Sequence, residues 1–120
     1  MTTLYGIKNC DSVRKARKWL DANHVPYTFH DYREQGLTAA LLADWCAKVG
    51  WQKLLNKRSR AWQDTDVPKD DDLDEHTAAV LMLRNPTLVK RPLLSHGDEI
   101  QVGFNEKDYR RLLGLQTPGA

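Results

Sequence analysis

The chain of 120 residues carries 18 basic and 16 acidic side chains, a formal net charge of +2. Its length suits a single domain, 1–120, with an ordinary buried core, and so small a charge excess excludes bulk electrostatic binding of nucleic acid or anionic lipid. No run of about 18 apolar residues is present to cross a membrane, the N-terminus MTTLYGIK lacks the basic and apolar regions of a secretory signal, and two cysteines, Cys10 and Cys46, make no disulfide framework, so a reducing cytoplasm is the expected location.

Residues 2–7, TTLYGI, read as a strand, with Thr and Tyr favouring the pleated backbone. Residues 11–24 read as a helix in which Val13, Ala16 and Leu20 form an apolar stripe, with Arg14, Lys15, Arg17 and Lys18 around it. Pro26 breaks that helix, and VPYTFHDY, 25–32, alternates as a second strand. Strand, helix, strand is a βαβ unit, which implies parallel strands and a right-handed crossover. Thr38 is placed to cap a further helix, along which Leu41, Leu42, Trp45, Cys46 and Val49 recur at helical spacing until Gly50 ends it.

Residues 51–63 suggest short helical pieces built on Trp51, Leu54, Leu55 and Trp62. The acidic stretch 64–75 contains Pro68 and reads as an exposed connection, its run Asp70–Asp72 a solvated link rather than a metal site. Asp72 and Glu75 have capping-box spacing for a helix over 73–85. That helix carries AAVLML, apolar all round and therefore expected to be buried, and Asn85-Pro86 stops it. Residues 91–103 read as a hairpin turning at Gly97-Asp98. Asn105 caps a last helix with the stripe Tyr109, Leu112 and Leu113, Gly114 is its stop, and 115–120 is a loose tail.

The order βαβ, helices, ββα is that of an α/β thioredoxin-like core with a mixed sheet and a helical insertion at about 37–72. In that fold the first strand-to-helix turn holds a cysteine and a cis-proline precedes the third strand. Cys10 and Arg91-Pro92 stand in those places, and an X–Pro bond is the kind for which cis is accessible.

A cysteine at a helix N-terminus faces unpaired backbone N–H groups and the positive end of the helix dipole. Both favour thiolate over thiol, the dipole by about 0.3–1 kcal/mol and up to roughly 2 in a partly buried site. The polar loop KNCDS around Cys10 suits a nucleophile better than an inert thiol at a strand end. Arg14 lies one turn along the helix from Cys10. Cys46 sits on an apolar stripe beside Leu42, Trp45 and Val49 and reads as a buried structural thiol. Asp11 could cap the first helix and Ser12 could offer its hydroxyl to the sulfur. His24, His30, His76 and His96 show no metal-ligand spacing with either cysteine, and each reads as a surface or loop residue; no metal is expected.

The segments LYGIKNCDSVRKARKWL, LLNKRSRAWQ, NPTLVKRPLL and VGFNEKDYRRLL together resemble the arsenate reductase (ArsC) and Spx family, most of all its YffB-like branch. The resemblance implies a thioredoxin-like core with an inserted helical subdomain and a nucleophilic cysteine, here Cys10. Arg14 then matches the arginine one turn after it, Arg91 an oxyanion-binding arginine, and Pro92 the cis-proline. Two further arginines of the glutaredoxin-linked arsenate reductases correspond to Asn56, with Arg58 close by, and to Gly103; a histidine four residues before the nucleophile corresponds to Gly6. Arsenate benefits from several charge-assisted hydrogen bonds, so arsenate reduction is not the expected main activity. Val13 stands where Spx regulators often carry a second cysteine, which rules out an internal switch with Cys10.

A lone reactive cysteine needs an external thiol to resolve its mixed disulfide, and glutathione as co-substrate is the expected supplier. Its carboxylates could be held by Lys8, Arg58 and Arg91, with backbone before Pro92 pairing to its peptide. The expected function is a glutathione-dependent thiol reductase acting through Cys10 on a small-molecule or protein disulfide, as a monomer. The alternative is an Spx-like interaction module that binds a protein such as RNA polymerase.

Overall fold

The computed structural model describes residues 2–58, 62 and 73–115. In chain order the elements are β1 (Thr2–Gly6), α1 (Asp11–Ala22), β2 (Thr28–Asp31), α2 (Tyr32–Gln35), α3 (Ala39–Val49), α4 (Trp51–Leu54), α5 (Glu75–Arg84), a 3-10 turn (Pro86–Leu88), β3 (Leu93–His96), β4 (Glu99–Val102) and α6 (Glu106–Leu113). They fall into two compact units, Met1–Asp31 with Arg91–Ala120, and Tyr32–Lys90. The insertion expected at 37–72 lies inside the second unit.

The first unit is a four-stranded mixed sheet in the order β2-β1-β3-β4. β1 runs parallel to β2, Leu4 opposite Phe29 and Gly6 opposite Asp31, and antiparallel to β3, Leu4 opposite Leu94. The hairpin β3–β4 turns at Gly97 and Asp98, and Gly97 supplies the positive φ of 60° that such tight turns require. Alternation along the strands puts Leu4, Leu94 and Phe29 on one face, where Ala16, Trp19 and Leu20 of α1 and Tyr109 of α6 close over them. Trp19, Phe104 and Tyr109 meet edge to face, with centroids 5.1–6.4 Å apart, the arrangement the ring quadrupoles favour. Each fully buried aliphatic side chain here contributes about 1.5–3 kcal/mol of apolar burial before chain entropy is subtracted. This is the thioredoxin-like α/β core.

Two local devices fix α1. Its C-terminal end is a Schellman motif: His24 N–H donates to Asp21 O and Val25 N–H to Leu20 O, with His24 itself left-handed at φ 57°. The helix therefore stops at Ala22, short of the expected 24. Pro26 follows directly, and pairing with β1 begins only at Thr28, so β2 is shorter than the expected 25–32. At the other end Gly6 lies under Val13: a Cβ on Gly6 would come within 2.6 Å of Val13 Cγ2. The strand and helix approach so closely there because position 6 has no side chain.

The second unit is helical. Thr38 caps α3 by accepting from Leu41 N–H at 3.1 Å, and Gly50 ends it. Leu42, Trp45, Leu54, Ala78, Met82 and Leu88 are buried, as is Trp62. A short bridge between Leu55 and Val89 is framed by Asn56 N–H to Leu88 O and Lys90 N–H to Leu54 O, both 2.7 Å. Tyr32, expected as the last strand residue, instead opens α2. The cap of α5 is Asp74, which accepts from Thr77 N–H at 2.8 Å; the capping box starting at Asp72 begins outside the described residues, as do most of 59–72 and the tail 116–120. α5 is not buried all round, since Ala78 and Met82 face inward while Leu83 is 38% exposed. The apolar run of this helix exceeds the stripe its neighbours cover.

Candidate functional site

Cys10 follows the turn that leaves β1. Its N–H donates to Ile7 O at 3.1 Å, which closes a turn over Lys8 and Asn9, and its C=O accepts from Arg14 N–H at 3.0 Å as the first hydrogen bond of α1. With φ −86° and ψ 127° Cys10 is itself the N-cap, and its side chain makes no capping hydrogen bond. The thiol is free and half-buried. Asp11, expected as a possible cap, is instead the first helical residue. The chemistry available at this position is that of a sulfur at the positive end of α1, beside N–H groups that have no intrahelical acceptor.

The expected partners are distributed unevenly. The Arg14 guanidinium donates to the carboxylate of Asp11, with both side chains exposed. Arg14 thus offsets the negative charge that follows Cys10. Lys8 is exposed, and its backbone N–H donates to Asp31 Oδ2 at 3.3 Å. Arg91 is half-buried with its Nε inside the protein, the Arg91-Pro92 bond is cis, and Pro92 O accepts from Gly103 N–H at 2.8 Å. Cys10, Arg14, Lys8, Arg91 and Pro92 all belong to the first unit, whereas Arg58 belongs to the second. Arg58 is exposed and its N–H donates to Asn56 Oδ1 at 3.1 Å.

Asn56 and Gly103, the two positions without the expected oxyanion arginines, have local tasks. Asn56 closes an Asx turn on Arg58. Gly103 sits at φ 84° while donating to Pro92 O, a backbone state that costs a side-chain-bearing residue roughly 1–2 kcal/mol.

Cys46 is only 6% exposed, and burial, reinforced by the Glu75 carboxylate, pushes its thiol pKa upward. It lines a cavity of about 290 Å³ in the second unit together with Leu42, Ala79, Val80 and Leu83; none of the residues expected at the site lines that cavity. Among the described residues no three His, Cys, Asp or Glu side chains form a metal-binding group, and no helix is long and apolar enough to cross a membrane. His30 and His96, expected on the surface or in loops, are half-buried strand residues: His30 packs its ring against Tyr5 with centroids 4.9 Å apart, and His96 Nδ1 pairs with Thr2 Oγ1 at 2.7 Å.

One residue that meets the turn leading into Cys10 is not legible from sequence spacing. Asp31 ends β2 and is 4% exposed. Its only signal in the sequence is a carboxylate closing an otherwise apolar-alternating strand, which a strand running on to Tyr32 hides.

The family model for the ArsC family matches residues 5–112. An uncharacterized protein of Haemophilus influenzae is 44% identical over 110 residues, covering 92% of this chain and 96% of that one. The global transcriptional regulator Spx 1 of Oceanobacillus iheyensis is 32% identical over 115 residues, covering 94% and 87%. The solved structure of a protein named YFFB superposes with a TM-score of 0.90 at 43% identity, covering 94% of this chain and 99% of that one. With the model match spanning nearly all of a thioredoxin-like chain whose cysteine caps the first helix, the protein belongs to the ArsC family.

Proposed function

We propose that this protein is a glutathione-dependent thiol–disulfide oxidoreductase with Cys10 as its single nucleophile. What supports the reading is a contrast within the chain. Cys10 caps α1, half-buried and without a capping bond of its own, whereas Cys46 is buried with its thiol pushed toward the protonated form. The thiolate is the attacking species in disulfide exchange.

In the first step Cys10 Sγ attacks one sulfur of a disulfide that carries glutathione. A bond forms between Cys10 and the glutathione sulfur, the original S–S bond breaks, and the other sulfur leaves as a thiolate that takes a proton from water. A second glutathione, as thiolate, then attacks the glutathione sulfur of the mixed disulfide. That step releases glutathione disulfide and restores the Cys10 thiolate. Each turnover consumes one glutathione thiol: the glutathione half of the substrate leaves within glutathione disulfide, and the other half leaves as the free thiol. The carboxylates of glutathione suit Lys8 and Arg91, the cations of the first unit that flank the Cys10 turn and Pro92 in sequence. Cytoplasmic glutathione would supply the reductant. Arsenate is disfavoured as the main substrate, since Asn56 and Gly103 replace two of its charged donors.

The test is turnover of a mixed disulfide between glutathione and 2-mercaptoethanol, with glutathione reductase and NADPH reporting the glutathione disulfide released. The wild type turns over and Cys10→Ser does not, while Cys46→Ala retains activity. Activity that survives Cys10→Ser defeats the proposal. A second reading, an interaction module like the Spx regulators, draws on the relatedness to Spx 1. It predicts protein capture unchanged by Cys10→Ser in a variant-matched pull-down, together with no turnover.

A further inference from the structure

The turn that presents Cys10 is tied to the neighbouring strand by a buried carboxyl side chain. Asp31 is 4% exposed, and a carboxylate taken out of water costs several kcal/mol unless hydrogen bonds or partners compensate it. Its Oδ2 accepts from Lys8 N–H at 3.3 Å. Lys8 is the first central residue of the turn that Cys10 N–H closes on Ile7 O at 3.1 Å. In the parallel pair β1–β2, Asp31 lies opposite Gly6, the residue just before that turn. The carboxylate therefore reaches from the C-terminal end of β2 across to the loop leaving β1, the end of a parallel pair at which α/β sheets build their sites.

We propose that Asp31 is a positioning residue for Cys10. It fixes the Ile7–Cys10 turn against β2, so that Sγ stays at the mouth of α1 and meets an incoming disulfide along the S–S axis. The inference rests on Cys10 being the nucleophile. Displacement exchange is sensitive to approach geometry, and misplacing a reacting atom by about 1 Å can cost on the order of a hundredfold in rate. The role uses the side-chain oxygen that accepts from the Lys8 backbone N–H, so an amide in place of the carboxylate preserves it: the Asn oxygen takes the same N–H. Alanine leaves that N–H without the acceptor and the turn without its tie.

The experiment compares the wild type, Asp31→Asn and Asp31→Ala. It reads second-order rates of Cys10 modification by oxidised glutathione and by iodoacetamide, with protection of Cys46 from labelling as the internal gauge of folding. The expected result is a loss of about tenfold or more for Asp31→Ala, and a rate within about threefold of wild type for Asp31→Asn, with Cys46 protected in both. Wild-type rates in a folded Asp31→Ala overturn the proposal, as does an Asp31→Asn variant as slow as Asp31→Ala. If Asp31→Ala exposes Cys46, the Asn variant decides: rates within threefold support positioning and a larger loss overturns it. If oxidised glutathione does not react with the wild type but iodoacetamide alkylation of Cys10 still falls in folded Asp31→Ala, the glutathione reading fails and the positioning role stands.

Discussion

Replacing Gly6 with Ala tests the packing that sets the first strand against the helix that follows Cys10. The added Cβ would lie 2.6 Å from Val13 Cγ2 and 3.3 Å from Val13 Cγ1. Ordinary carbon contacts lie at about 3.5–4.0 Å, so the nearer methyl must retreat by roughly 1 Å. Val13 is 0% exposed and packs inside α1, while Leu4 and Tyr5 just before Gly6 are buried in the central strand. Neither partner is the loose end of a flexible side chain. Overpacking of this kind costs about 1–3 kcal/mol, and the loss of glycine's freedom in the unfolded chain returns about 0.4–1. The net expectation is a destabilisation of about 0.5–2 kcal/mol. Urea unfolding with an unchanged m-value reads it as a lower midpoint. Val13→Ala removes the clashing methyls, so the double variant Gly6→Ala/Val13→Ala should be more stable than the sum of the single effects by about 1 kcal/mol. A Gly6→Ala protein as stable as wild type, or strict additivity with Val13→Ala, would show that the Gly6–Val13 contact does not limit the packing. The same contact explains why this chain has no room for the histidine that its resemblance to arsenate reductases would put at position 6.

Tyr109 is fully buried, and among the described residues its hydroxyl has no hydrogen-bond partner; Tyr109→Phe should leave stability unchanged or raise it by about 1 kcal/mol in denaturant unfolding. Burial raises the Tyr109 pKa above its ordinary value near 10, so the native state holds that proton more tightly than the unfolded chain. Its contribution is complete below pH 10 and falls as pH climbs toward the raised native value, a decline that unfolding at several alkaline pH values should show in wild type and not in Tyr109→Phe. His24→Gly relieves a left-handed residue at the C-terminal stop of α1 and should stabilise by about 0.5–1 kcal/mol in thermal unfolding. Arg91→Ala should weaken mixed-disulfide formation with glutathione roughly ten- to a hundredfold, from a charge-assisted contact worth about 1.5–3 kcal/mol, measured as the exchange rate at Cys10; an unchanged rate removes Arg91 from the site.

The parts legible in the sequence are those where one residue type has one physical use. Thr38 and Gly50 bracket α3, Asn105 and Gly114 bracket α6, and Gly97 makes the hairpin turn. Cys10 between an apolar strand and a basic helix was legible for the same reason. What stayed hidden depends on choices that spacing does not encode. Tyr32 continues the alternation of β2 yet opens α2, a helix too short to show a period. The run in α5 is apolar on all sides, but the fold fully buries Ala78 and Met82 and leaves Leu83 exposed. Arg14 stands one turn from Cys10, and its rotamer carries the guanidinium to Asp11. Asn56 looks like a lost arginine, and its amide is occupied in holding its own turn. Asp31 acquires meaning only through the parallel register that lays it beside Gly6.

The most direct test of Cys10 as the nucleophile is intact-protein and peptide mass spectrometry after brief exposure of the native protein to oxidised glutathione. The expected result is one glutathione per chain, on Cys10, with Cys46 unmodified until the protein is denatured. Modification of Cys46 first, equal modification of both thiols, or no adduct at Cys10 would contradict it.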